Sequence, residues 1–149
     1  MRIINYLKFL ILIYIFFIKN AFSDTIQIES EKLEILKIDG ISIFTGNVYA
    51  EDKNLKLWSN KLTVYYDVEQ ESIINIIAED NVKIIRLDLE AYGNQSNYIL
   101  KNEELYISGN VTLIENENKI KCEKLFIDIK NSISIMTAGK ESRVTAKII

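Results

Sequence analysis

The chain has 149 residues, 18 basic against 21 acidic, with no His, no Pro and one Cys. Without His there is no Ser-His-Asp triad, no Cys-His dyad and no His-ligated zinc; one Cys excludes an internal disulfide and a Cys-rich metal knuckle. The formal charge of -3 opposes nucleic acid as a partner, since that partner needs clustered Lys and Arg to neutralise phosphates.

Residues 1–23 read as a signal-peptide helix. Arg2 and Lys8 give a basic start, residues 9–18 are an unbroken apolar run, and Ala21 and Ser23 are the small residues of a signal-peptidase site. A cut after Ser23 leaves a domain of residues 24–149, with 15 basic and 21 acidic residues and a charge of -6. The alternative is a retained anchor, although a spanning helix needs roughly 20 apolar residues.

From residue 24 the pattern is that of strands. Ile occurs 28 times and Ala six times, and β-branched side chains favour a pleated surface. Ile26 and Ile28 alternate with polar residues; so do Leu62, Val64 and Tyr66, then Leu105, Ile107, Val111 and Leu113, then Leu125, Ile127 and Ile129. Ile133 with Ile135, and Val144 with Ala146 and Ile148, continue the alternation. Period two buries one face and wets the other. Turn signals separate the runs at Asp39-Gly40, Asp52-Lys53-Asn54, Asp80-Asn81, Gly93-Asn94, Lys101-Asn102-Glu103, Glu115-Asn116-Glu117-Asn118, Lys130-Asn131 and Ala138-Gly139-Lys140. The spacing predicts an all-β domain of roughly 12–14 short strands. Leu33, Ile35 and Leu36 are the one place where a single helical turn is expected.

An internal repeat runs through these strands. Gly46-Asn47-Val48 recurs as Gly109-Asn110-Val111, and Asp80-Asn81-Val82 is a weaker copy. Val48, Val82 and Val111 each precede a matching position, Leu62, Ser96 and Leu125, by 14 residues. A unit this small cannot bury its own apolar face, so neighbouring units must stack.

Thr25-Ile26-Gln27-Ile28-Glu29-Ser30-Glu31-Lys32-Leu33, then Phe44-Thr45-Gly46-Asn47-Val48 and Ser59-Asn60-Lys61-Leu62-Thr63-Val64, resemble the LptA/OstA-like family. Ile107-Ser108-Gly109-Asn110-Val111, Lys119-Ile120-Lys121-Cys122-Glu123-Lys124-Leu125 and Arg143-Val144-Thr145 fit the same pattern. The likeness covers nearly all of residues 25–148. Two positions depart from it: Asp80 and Cys122 stand where the pattern has Gly. The resemblance implies an open antiparallel β-jellyroll in the periplasm. It implies that an inner apolar groove carries the acyl chains of lipopolysaccharide (its lipid A part). It also implies head-to-tail stacking that bridges inner- and outer-membrane transport proteins of similar fold.

The residues give that function a rationale. Each acyl CH₂ kept from water is worth roughly 0.8 kcal/mol, so a chain of about a dozen carbons costs on the order of 10 kcal/mol to expose. The groove candidates are Ile26, Ile28, Val48, Val64, Tyr66, Ile84, Tyr98, Leu100, Val111 and Leu113. The first strand (Thr25, Ile26, Gln27, Ile28) and the last (Val144, Thr145, Ala146) lack Pro and are candidate assembly edges. No catalytic residue, metal site or cofactor is expected: the acids fall in turns such as Glu51-Asp52 and Glu103-Glu104, and Cys122 reads as a small core residue. Two rivals stay open: an LptC-like anchored partner of the same fold, and a structural β-assembly with no ligand.

Overall fold

The computed structural model describes residues 25–149. The expected signal peptide and its cut after Ser23 lie outside these residues. The described chain forms ten strands: β1 Gln27–Glu29, β2 Lys32–Leu36, β3 Ile41–Glu51, β4 Leu55–Asp67, β5 Ser72–Arg86, β6 Leu89–Ile99, β7 Glu104–Glu115, β8 Asn118–Asp128, β9 Ile133–Thr137 and β10 Thr145–Lys147. All pairings are antiparallel within one sheet, in the order β1-β3-β4-β5-β6-β7-β8-β10. β2 shares the outer side of β3 with β1, and β9 shares that of β8 with β10. The sheet therefore stays open, and each edge is made of two short strands.

The expected 12–14 strands become ten because several turn signals do not turn the chain. Asp80-Asn81 and Gly93-Asn94 lie inside β5 and β6. They coincide with register shifts between Glu79 and Val82 and between Tyr92 and Gln95. Matching shifts fall between Thr45 and Val48, Trp58 and Lys61, and Ser108 and Val111. The repeat is the signature of these bulges. Gly46 and Asn47 have φ 87° and 42°, Asp80 and Asn81 63° and 53°, Gly109 and Asn110 82° and 48°. Two successive left-handed residues insert extra chain and bend the strand without ending its pairing.

Gly109 is required twice over. Its φ is positive, and a Cβ there would stand 2.6 Å from the Asn94 side-chain amide. Asp80 takes the same backbone conformation with a side chain.

The bulges align across the sheet as a crease. On one side lie segments 48–51, 55–58, 82–86, 89–92, 111–115 and 118–122, here the first lobe. On the other lie 41–45, 61–67, 72–79, 95–99, 104–108 and 124–128, the second lobe. A single sheet has no second layer to cover it. Yet Val48, Leu62, Ile84, Ile107, Val111 and Leu125 are only 1–2% exposed and belong to one cluster. The lobes fold toward each other about the crease and bury their facing sides.

β2 replaces the expected helical turn. Leu33 pairs with Phe44 and Ile35 with Ser42. Its apolar residues remain about half exposed because β2 is an edge strand. The only helical element among the described residues is the three-residue 3-10 turn Leu100–Asn102.

Candidate functional site

The facing sides of the lobes carry two long apolar rows. In the first lobe Ile28, Ala50, Leu57, Ile84, Ala91, Leu113 and Ile120 stand opposite one another from β1 to β8. In the second, Leu33, Phe44, Leu62, Ala78, Ser96, Ile107, Leu125 and Met136 run from β2 to β9. Small residues interrupt these rows at Ala50 and Ala91 in the first and Ala78 and Ser96 in the second, with Ala78 and Ala91 wholly buried beside Leu62 and Ile84. Such gaps let large side chains of the facing surface fit in place of a flat seam.

Each groove candidate has a definite place. Val48, Val64, Ile84, Val111 and Leu113 are in the buried cluster, and Ile28 and Tyr98 pack against it. Ile26 lies partly buried just before β1, and Leu100 opens the 3-10 turn after β6. Tyr66 keeps the inward alternation of β4, opposite Ile73, but is 41% exposed near the strand's end. Sequence reasoning missed the buried polar residues Ser59, Thr63 and Ser96. Ser59 donates its hydroxyl to the Lys61 carbonyl at the bulge, which satisfies it there. Ser96 occupies the repeat position filled elsewhere by Leu, and that offset was its only signal.

Tyr98 is a large inward side chain with a hydroxyl, opposite Ile76 and Leu105. Burial pushes its phenol above the usual range, and Glu103 adds to this; Asp52 acts the same way and Arg86 against it. Asp52, in the turn after β3, and Arg86, the last residue of β5, belong to the first lobe, so the phenol of this second-lobe residue sits where the two rims approach. Cys122 faces Val111 in the interior. Burial raises its thiol, chiefly, with Glu123 adding and a backbone hydrogen bond at Thr137 opposing. A thiol so protected is a weak nucleophile.

The outward faces differ from the interior. On the first lobe Tyr49, Trp58, Lys83 and Tyr92 form a row across β3 to β6. The Tyr49 and Trp58 rings lie 5.1 Å apart, and the Lys83 ammonium sits 5.2 Å from Trp58 and 5.6 Å from Tyr92. Tyr49 and Tyr92 donate to Glu51 and Glu90. The row satisfies itself and braces the sheet through cross-strand pairs. No group of three or more metal-ligating side chains converges among the described residues.

Both edges lie where the sequence placed the assembly strands. β1 holds Gln27 and Ile28 against Glu51 and Ala50, and β10 holds Thr145 and Ala146 against Lys121 and Ile120. Thr25, Ile26 and Val144 flank these strands outside their bounds. β2 and β9 form the other half of each edge, which sequence reasoning did not single out.

A folded open sheet of this kind has relatives. The sequence profile described as "LptA/(LptD N-terminal domain) LPS transport protein" matches residues 27–133. The chain belongs to that family. Among solved structures it is similar to LptH of Pseudomonas aeruginosa, described as the LptA-homologous periplasmic component of the conserved lipopolysaccharide transport device. That likeness has a TM-score of 0.76 at 16% identity and covers 85% of this chain and 96% of LptH. At this identity it speaks for the fold, an open jellyroll. No curated protein sequence matches the chain. The family is one of transport proteins and not of enzymes.

Proposed function

We propose that the chain is a periplasmic carrier of lipopolysaccharide. It shelters the acyl chains between its two lobes and bridges inner- and outer-membrane partners of similar fold. The observation that carries this reading is the pair of facing apolar rows in a sheet that does not close. Apolar walls give an acyl chain partial shelter from water, and open ends leave a route onward. The groove candidates serve as walls, with Ile28 and Tyr98 at the partly buried margin.

The edges support the bridging role. From one edge to the other each lobe counts eight strands of alternating direction. A copy displaced along the stack therefore presents β1 and β2 antiparallel to β10 and β9 of its neighbour. The joint would continue both lobes, and a heterologous contact of this kind grows into a filament.

Placing a carboxylate among acyl chains is costly, so Ile28→Asp and Tyr98→Asp test the walls. Lipopolysaccharide co-purifying with each variant should fall by at least tenfold while β-type circular dichroism stays at the wild-type level. Variants that fold and carry normal lipid would remove these residues from the groove. Lipid-free wild-type protein would favour a structural assembly without ligand.

A further inference from the structure

The packing of the interior limits how a ligand can reach it. Seven interior residues are 1–2% exposed, and Ala78 and Ala91 are wholly buried. Protein interiors packed to that degree hold few voids larger than a water molecule. An acyl chain can lie among them only if they move apart. The strands run unbroken from lobe to lobe, so the lobes can separate only by changing the angle at the crease.

The crease suits such a change. All five central register shifts fall on it, and each shift leaves part of the ladder unpaired. The side-chain ties at it are few and polar: the Asn47 amide to Glu31, the Asn110 N–H to Glu123 at 3.5 Å, and the buried Ser59 hydroxyl to the Lys61 carbonyl; the exposed Lys61–Glu79 pair at 3.0 Å borders it within the second lobe. At the opposite border no strand pairing among the described residues joins one lobe to the other. Only side chains hold the rims. Leu55 and Leu89 on the first lobe, and Ile73 and Tyr98 on the second, pack against the cluster while staying partly exposed.

The second rim also offers a surface to an incoming chain. Its hairpin tips carry Ile38 and Val68, 97% and 56% exposed, with Tyr66 beside them. The hairpin tips of the first rim are polar except for Leu87.

We propose that the roll loads sideways: the lobes part at the rims, pivoting on the crease, and acyl chains pass between Leu55 and Leu89 on one side and Ile73 and Tyr98 on the other. This rests on the carrier reading above and adds a path to it. Threading from either end of the stack is the alternative that the test must separate.

The test uses nitroxide labels at Lys53→Cys and Lys101→Cys, exposed turn positions on the two rims. A control pair at Thr45→Cys and Gln95→Cys sits beside the crease. Both pairs are made with Cys122→Ala, and again with Cys122 retained at a label count of two per chain. Double electron–electron resonance is recorded with and without purified lipopolysaccharide, and bound lipid is quantified by mass on the same samples. The rim distance should shift outward on loading while the crease distance holds. Joining the rim pair with a short bis-maleimide should slow lipid uptake at least tenfold. Bound lipid with an unchanged rim distance, or normal uptake by the joined protein, overturns sideways loading and leaves the carrier reading standing. Absence of bound lipid in every sample overturns the carrier reading and this path with it.

Discussion

Ile84→Ala probes the interior at its most enclosed point. Ile84 is 2% exposed and stands between Leu57 and Ala91 in the first-lobe row. The substitution removes three carbons, a transfer loss of roughly 2.4 kcal/mol at about 0.8 kcal/mol per CH₂. The residual cavity adds to this, and Ile→Ala changes in cores cost about 2–5 kcal/mol in total. A loss near 3 kcal/mol is expected. For a domain of this size it lowers Tm by about 12 °C, at about 4 °C per kcal/mol. Urea melts followed by circular dichroism should show a lower midpoint with an unchanged slope. Ile38→Ala, at a residue 97% exposed, should stay within about 0.5 kcal/mol of wild type. If the carrier reading holds, lipopolysaccharide fills the new cavity and restores part of the loss in the Ile84 variant. A loss below about 1 kcal/mol would refute the claim that the lobes pack tightly on each other.

Three further outcomes follow from particular residues. Asp80 holds the left-handed conformation that Gly holds at the equivalent positions 46 and 109, so Asp80→Gly should stabilise the fold by up to about 1 kcal/mol; a loss in urea melts would contradict the strain argument. The Asn131 side-chain amide, chiefly, and its backbone N–H hold the Asp128 carboxyl below the usual range. A depressed folded value stabilises above the unfolded value near ~3.9, and the gain is lost as pH falls through the folded value. Asn131→Ala should therefore raise the Asp128 value in an NMR titration, and an unchanged value would dismiss that hydrogen bond as the cause. Deleting residues 144–149 removes β10 and the Ile149–Asn118 contact. Light scattering across a concentration series should show growing assemblies for the full chain and a monomer for the truncation, and polymers of the truncated chain would move the joint elsewhere.

Much of this architecture was legible because its physics is local. Alternation placed the strands, and Val48, Ile84 and Val111 fell in the interior as their parity required. The repeat was visible because each bulge needs residues that tolerate positive φ, so Gly-Asn recurs. The same chemistry caused the overcount of strands: Asn and Gly at positive φ mark a hairpin turn and a bulge equally, and only pairing on both sides tells them apart. β2 was misread because Leu33, Ile35 and Leu36 pack one face at helical spacing as readily as they alternate along an edge. Tyr66 shows a third limit. Parity assigns a face but not a depth, and the end of a strand is exposed whichever face it shares. Pairing between β1 and β3, or β8 and β10, depends on the whole topology and leaves no local trace.

The central claim is that this folded sheet carries lipid, and native mass spectrometry of the protein expressed from its full sequence and purified without detergent tests it most directly. The account predicts a chain beginning at Asp24 with lipopolysaccharide bound, released as free lipid on activation. A lipid-free chain of the same length, folded and assembled, would contradict it.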